Sequence, residues 1–208
     1  MKQLAIILLV CTHAAFAQEH QYAAPSKYLS LSVGPSKHGT GDMRGIMQRV
    51  TYTQYFKKRL FWYASVGADL HDGEYQVIVT QPSGEVTDHS FRYTAGAMQL
   101  TGGAGFSALR SKNTELGVRL AAVLRYQSSS LYDYLNIIYD PKEIGPYPAM
   151  FIANVNPQRT FAAGICPELF FNQRIFKSFT AGISGGFQLD TNGDVLTSFA
   201  LSVGKYLR

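Results

Sequence analysis

Beyond its first residues the sequence has no long apolar run. About 18 consecutive apolar residues would be needed for a spanning helix, and no segment after residue 17 comes close. A transmembrane helix is therefore excluded from the mature chain. Charge is scarce too: charged residues are 16% of the 208, against roughly 25% in an ordinary soluble domain. The net charge of +5 invites a nucleic-acid reading. Yet the longest basic run is Lys57-Lys58-Arg59, and no helix-turn-helix, zinc-finger or RNA-recognition signature is present, which excludes nucleic acid as a partner. Cysteine is nearly absent. Cys11 falls in the leader, so Cys166 stands alone and no intrachain disulfide can form. Cys166 reads as a small packing residue. Helical periodicity is almost wholly lacking.

What is present begins with the leader MKQLAIILLVCTHAAFA. One lysine, a short apolar stretch and Ala15-Phe16-Ala17 make a secretory signal with cleavage after Ala17. A lipoprotein signal acylated at Cys11 fits less well, because Val10 is bulky and the apolar run continues past it. Residues 18–27 then read as a short periplasmic segment and 28–208 as one domain. That domain is rich in glycine (19 in the chain) and aromatic residues (13%).

Eight period-2 segments follow one another. They lie near residues 28–36, 45–57, 60–71, 91–107, 116–126, 158–171, 177–190 and 195–207. The fifth, LGVRLAAVLRY, is representative. Leu116, Val118, Leu120, Ala122, Leu124 and Tyr126 form one row; Gly117, Arg119, Ala121, Val123 and Arg125 form the other. The connections alternate in length. Tight turns fall at Lys57-Lys58-Arg59, at 108–114 and at 172–176. Longer loops fall at 35–44, 72–90 and 127–157. Asn192-Gly193 signals a type I′ hairpin. An even strand count with alternating short and long connections is the pattern of an outer-membrane barrel, whose short turns face the periplasm.

Residue type decides which face is wet. A soluble barrel needs Lys, Glu and Asp along its outer face. Here the less apolar rows are mostly Gly, Ala, Ser and Thr, which suit the crowded bore of an eight-stranded barrel. The apolar rows then face lipid, with Phe56, Trp62, Phe106, Phe161, Phe171 and Phe179 near strand ends as interfacial girdles. The inward charges Arg49, Asp69, Arg119, Arg125, Glu168 and Asp190 must pair with one another. Equal spacing from the turns predicts Arg49 opposite Asp69, and Arg119 opposite Glu168. The fold expected is an all-β, eight-stranded antiparallel up-and-down transmembrane β-barrel with a packed polar lumen. Basic residues gather at the tight turns (Lys57, Lys58, Arg59, Arg110, Lys112, Arg174, Lys177) and acidic ones in the long loops (Asp72, Glu74, Glu85, Asp88, Asp133, Asp140, Glu143). Basic turns suit the anionic headgroups of an inner leaflet.

This layout resembles the small eight-stranded outer-membrane barrels, the group of OmpX and of the membrane part of OmpA. In detail HGTGDMRGI (38–46), FRYTAGAMQLTGGAGF (91–106), PQRTFAAG (157–164) and GGFQLDTNGD (185–194) are similar to uncharacterised Bacteroidota outer-membrane β-barrel proteins. The resemblance covers the whole mature chain and implies an outer-membrane location, outer-membrane lipids and the assembly machinery as partners, and a monomer. It implies no cofactor. Tyr206-Leu207-Arg208 departs from the aromatic ending usual in the group, and no anchoring to peptidoglycan is implied.

Sites of chemistry are few. DTNGD sets Asp190, Asn192 and Asp194 at calcium-loop spacing without the distal Glu, so a hairpin is expected. Asp88, His89 and Ser90 could suggest a hydrolytic set, but adjacent strand residues face opposite ways. His38, His71 and His89 fall on one side of the barrel without any metal-ligand spacing. No catalytic, cofactor or metal residue is assigned. The 127–157 loop is the interaction candidate, through Tyr132, Tyr134, Ile137, Ile138 and Tyr139, since long loops are often functional and a strand edge can take up a partner strand. The role expected is structural or surface-interactive without an open pore. The alternatives are a lipid-modifying acyl hydrolase and a soluble secreted ligand-binding barrel.

Overall fold

The computed structural model describes residues 27–39, 43–80, 84, 86–138, 149–153 and 158–207. The strands in chain order are β1 (Lys27–His38), β2 (Met43–Tyr55), β3 (Leu60–Tyr75), β4 (Ile78–Thr80), β5 (Val86–Asp88), β6 (Phe91–Arg110), β7 (Thr114–Ser129), β8 (Tyr134–Ile138), β9 (Ala149–Ala153), β10 (Arg159–Arg174), β11 (Phe179–Asp190) and β12 (Val195–Leu207). Eight of them close into one barrel in the order β1-β12-β11-β10-β7-β6-β3-β2. Each neighbour pair is antiparallel. The remaining four form two separate ribbons, β4–β5 and β8–β9. The leader and its cleavage site lie outside the described residues.

The alternation read from the sequence is the alternation of the wall. Along β7, Leu116, Val118, Leu120, Leu124 and Tyr126 are exposed, while Arg119, Ala121, Val123 and Arg125 are buried. The other strands repeat it: Leu29, Leu31 and Val33 lie outside β1, and Leu201 and Val203 outside β12. A continuous apolar girdle of this extent has no place in water. It suits a bilayer. From Leu116 to Tyr126 the chain rises about 33 Å along the strand, or about 25 Å along a barrel axis at the usual tilt. The soluble ligand-binding alternative needs the opposite arrangement, with the apolar rows inside.

The bore is closed at one end by an aromatic plug. Tyr28, Tyr55, Phe61, Tyr63 and Phe170 pack together there with Ala121, and Tyr206 leans on them. The Phe61 and Phe170 rings meet edge to face, 5.6 Å apart. Glycine makes the room. A Cβ on Gly105 would sit 2.2 Å from the Phe61 ring, and one on Gly117 would sit 2.7 Å from the Phe170 ring. The start of β1, the end of β12 and the short turns lie at this end, here called the turn end. The opposite, hairpin end carries the ribbons.

Connection lengths differ from expectation. The 35–44 segment is mostly strand: Lys37 pairs with Arg44 and His38 with Met43. Gly34 and Pro35 look like breakers, but the β1–β12 ladder skips both residues and β1 continues. The proline's missing N–H is thereby accommodated. The 72–90 and 127–157 segments also lend residues to the barrel, since β3 runs to Tyr75 and β7 to Ser129. A register shift between Ser107 and Leu109 carries β6 on to Arg110, so the turn read at 108–114 shrinks to residues 111–113. The turn read at 172–176 lies at 175–178 instead. The hairpin after β11 is not type I′. Among the described residues no non-glycine has positive φ, and in that turn only Gly193 does, at 79°. Gly193 N donates to Asp190 O at 3.0 Å, which gives a type I turn followed by a left-handed glycine.

Candidate functional site

The inward charges fall into two clusters. Near mid-bore, Glu168 accepts from two arginines. Arg49 Nη1 lies 3.0 Å from its Oε2, and Arg119 Nη2 donates to its Oε1. Glu168 and Arg119 are direct register partners on β10 and β7. Arg49 comes from β2, on the far side of the barrel. The expected pairing of Arg49 with Asp69 is therefore wrong. Arg49 stands opposite Gly67, and Asp69 opposite Met47, so the two carry no common register. An eight-stranded bore is narrow enough for long side chains from opposite walls to meet, and Arg49 reaches across it. The Arg119 guanidinium also lies 4.9 Å from the Tyr63 ring centre, over the plug.

Toward the hairpin end, Arg125 holds the second cluster together. Its Nη2 donates to Asp69 Oδ1 at 3.0 Å. Its Nη1 lies 3.6 Å from both Asp190 Oδ2 and Asp194 Oδ2, beyond hydrogen-bond length. His38 Nε2 sits 3.0 Å from Arg125 Nη1 and 3.2 Å from Asp194 Oδ2. A neutral ring can accept from the arginine there, and a protonated one can donate to the aspartate. His38, His71 and Asp194 were not read as lumen charges from the sequence. Parity would have found the histidines, since His38 is two residues from inward Ser36 and His71 two from Asp69. Asp194 lies in a turn, where parity says nothing.

The most chemical-looking geometry also lies here. Ser36 Oγ is 2.8 Å from His71 Nε2, and His71 Nδ1 is 3.1 Å from Asp69 Oδ1. Those are the distances of a Ser-His-Asp relay, but His71 Nδ1 makes no hydrogen bond, and Asp69 Oδ1 accepts from Arg125 instead. The relay is closed in, however: His71 is fully buried and Ser36 is 4% exposed. Met43 and Tyr93 crowd Gly73 just above, where a Cβ would come within 2.8 Å and 3.0 Å of them. An acyl carbonyl has no approach to Oγ in this arrangement.

The sequence's own hydrolytic candidate is a turn. Ser90 Oγ accepts from Val77 N at 3.1 Å, and Ser90 N donates to Asp88 Oδ1 at 2.8 Å. Hydrogen bonds from Ser90 hold the Asp88 carboxyl below the usual carboxylate range. In DTNGD, Asp190 Oδ1 accepts from the backbone N–H of Asn192 and of Asp194, so it caps its own hairpin. Among the described residues no group of His, Cys, Asp and Glu is placed to hold a metal ion. Cys166 is buried and free.

The interaction candidates separate. Tyr132 packs into an aromatic cluster at the rim, 5.5 Å from Tyr75 and 5.0 Å from Phe91, centre to centre. Tyr134 is half exposed on β8. Ile137 and Ile138 pair with Met150 and Ala149 through their backbones. Tyr139 lies outside the described residues. Phe151 and Ile152 on β9, absent from the sequence-derived set, are 48% and 42% exposed.

The architecture has solved counterparts. Ail, the attachment invasion locus protein of Yersinia pestis, in complex with the heparin analogue sucrose octasulfate, superposes with a TM-score of 0.52 at 10% identity, covering 88% of this chain and 98% of that one. Neisserial surface protein A gives 0.51 at 10% identity, covering 87% and 97%. At such identity the likeness is one of fold, a closed barrel of eight antiparallel strands. No protein-family model matches the sequence, and no curated protein matches it.

Proposed function

We propose that the chain is a monomeric outer-membrane barrel that displays a contact surface outside the cell. Export by residues 1–17, with cleavage after Ala17, would deliver it to the periplasm and to the barrel-assembly machinery. The termini and basic turns face the periplasm; the β4–β5 and β8–β9 ribbons face out. The bore passes no ions, because Phe61, Tyr63 and Arg125 fill it. The observation that carries the interactive role is the β8–β9 ribbon. It pairs with no barrel strand among the described residues, and it exposes Tyr134, Phe151 and Ile152. Such an edge can accept a partner's strand, with backbone hydrogen bonds giving affinity and side chains giving choice. Ail has a similar fold, and its structure holds a heparin analogue, so a barrel of this fold can take a ligand.

The second reading, a hydrolase, draws on the Ser36–His71–Asp69 relay. One experiment separates the two. Residues 130–153 are replaced by a short Gly/Ser turn, and intact cells are cross-linked. A folded, heat-modifiable barrel that loses its cross-linked partner supports the interactive role, since shortening a loop costs little stability. A fluorophosphonate probe applied to the same cells should leave Ser36 unmodified. If the barrel is labelled, Ser36→Ala abolishes the label and ribbon removal changes nothing, the hydrolase reading replaces the interactive one.

A further inference from the structure

The lipid-facing wall is not uniform. On β11 the outward row reads Ile183, Gly185, Phe187, and the glycine leaves a dent between two large side chains. Packing does not require glycine there. A Cβ on Gly185 would meet nothing nearer than the Ser198 carbonyl oxygen at 3.8 Å. An unforced glycine inside a strand weakens it and often marks a place where something else approaches. The dent opens into a groove of about 690 Å³, lined by Leu116, Val118, Leu169, Phe171, Ile183 and Phe187. Pro167 lies beside it, and the β10–β11 ladder skips Cys166 and Pro167 at this height.

The groove leads toward the turn end. Leu116 and Phe171 stand opposite each other near the ends of β7 and β10. Just beyond them two turns meet. Arg174 N donates to Asn113 O at 2.6 Å, and Thr114 Oγ1 donates to Gln173 Oε1 at 2.8 Å. These turns carry Lys112, Arg174 and Lys177, with both lysines exposed. Among the described residues the acid of this end is Glu115, whose carboxylate is turned inward to Ser107 and Asn172. An apolar slot thus ends beneath a cationic rim.

We propose that the slot holds one acyl chain of an anionic glycerophospholipid of the inner leaflet, its phosphate resting against Lys112 and Lys177. A lipid fits better than a protein segment. The slot lies within the apolar girdle, where an extended peptide would leave backbone groups without hydrogen bonds. A cation at headgroup depth favours an anionic lipid over a zwitterionic one. The assignment rests on the outer-membrane placement and on the turn end facing the periplasm.

The test is native mass spectrometry of the folded barrel released from detergent, with phosphatidylglycerol, phosphatidylcholine and lipid A as probes. The wild type should retain one phosphatidylglycerol, roughly tenfold or more in preference to phosphatidylcholine. Gly185→Leu should abolish that retention. Gly102→Leu, which fills an equally open outward glycine away from the groove, should not. Lys112→Gln with Lys177→Gln should bring phosphatidylglycerol down to the phosphatidylcholine level. A heat-dependent gel shift shows that each variant is folded. Equal retention of the two phospholipids by the wild type, or retention indifferent to Gly185→Leu, overturns the proposal. Preference for lipid A, lost in Gly185→Leu, overturns the inner-leaflet assignment and the orientation while leaving the groove as the site.

Discussion

Glu168 is a single carboxylate serving two guanidinium groups, and that imbalance sets what each substitution should do. Glu168→Gln leaves Arg49 and Arg119 buried without a counter-charge. Breaking a buried pair from one side typically costs about 3–5 kcal/mol, and the urea midpoint in detergent should fall accordingly. Adding Arg119→Gln should restore part of the loss, because one unpaired cation is gone. Arg49→Gln alone should cost less than Glu168→Gln, since Glu168 keeps its bond to Arg119. A loss for Arg49→Gln as large as that for Glu168→Gln would mean that the charge balance is not what holds the cluster. At this scale the sequence shows the face and hides the partner. Period 2 groups Arg49, Asp69, Arg119, Arg125 and Glu168 with the small residues of their rows, and residue type puts those rows inside. Neither says anything about reach across the bore, which is why Arg49 meets Glu168 and Asp69 meets Arg125. Arg119 and Glu168 were predictable because they are true register partners.

The hairpin between β11 and β12 shows the same division at the level of the element. Its existence follows from Asn192-Gly193 between two alternating segments, but its geometry does not, because Asp190 spends its carboxylate on the turn. Asp190 Oδ1 binds the N–H groups of Asn192 and Asp194, and this fixes a turn in which Gly193 alone has positive φ. Gly193→Ala should therefore cost about 1–2 kcal/mol, the penalty of a Cβ in the left-handed region. Asn192→Ala should cost less, since it gives up one exposed hydrogen bond to Thr160. A type I′ turn would penalise both positions for their backbone alone, so equal losses in the unfolding midpoint would restore that assignment. The long connections were the least readable elements. Strand pairing continues wherever a partner strand is alongside, as with Lys37 and Arg44 past Pro35. The ribbons β4–β5 and β8–β9 are short, and their alternation is too brief to stand out from a loop.

The whole molecule is polarised along its axis, and this bears on how it sits in a membrane. The turn end carries Lys57, Lys58, Arg59, Arg110, Lys112, Arg174, Lys177 and Lys205, whereas the other mixes Asp72, Glu74, Asp88 and Asp133 with Lys37, Arg44, Arg92 and Arg159. The short turns, the start of β1 and the end of β12 share the basic end, as expected for a barrel inserted from the periplasm. Between the ends runs the apolar girdle, bounded by Trp62, Phe106, Phe171 and Phe179 on one side and by Tyr126 and Phe161 on the other. Orientation is testable with two cysteines. Ile78, on β4, is 63% exposed, and Ile78→Cys should react with a membrane-impermeant maleimide on intact cells. Lys58→Cys, in the turn between β2 and β3, should react only after the outer membrane is opened. The native Cys166 is buried in the bore, so it should stay silent in both variants. Labelling of Lys58→Cys on intact cells with none at Ile78→Cys would turn the barrel over. The ribbons would then point into the periplasm, their Tyr134, Phe151 and Ile152 could meet no partner outside the cell, and the basic rim would need its counter-charge from the outer leaflet.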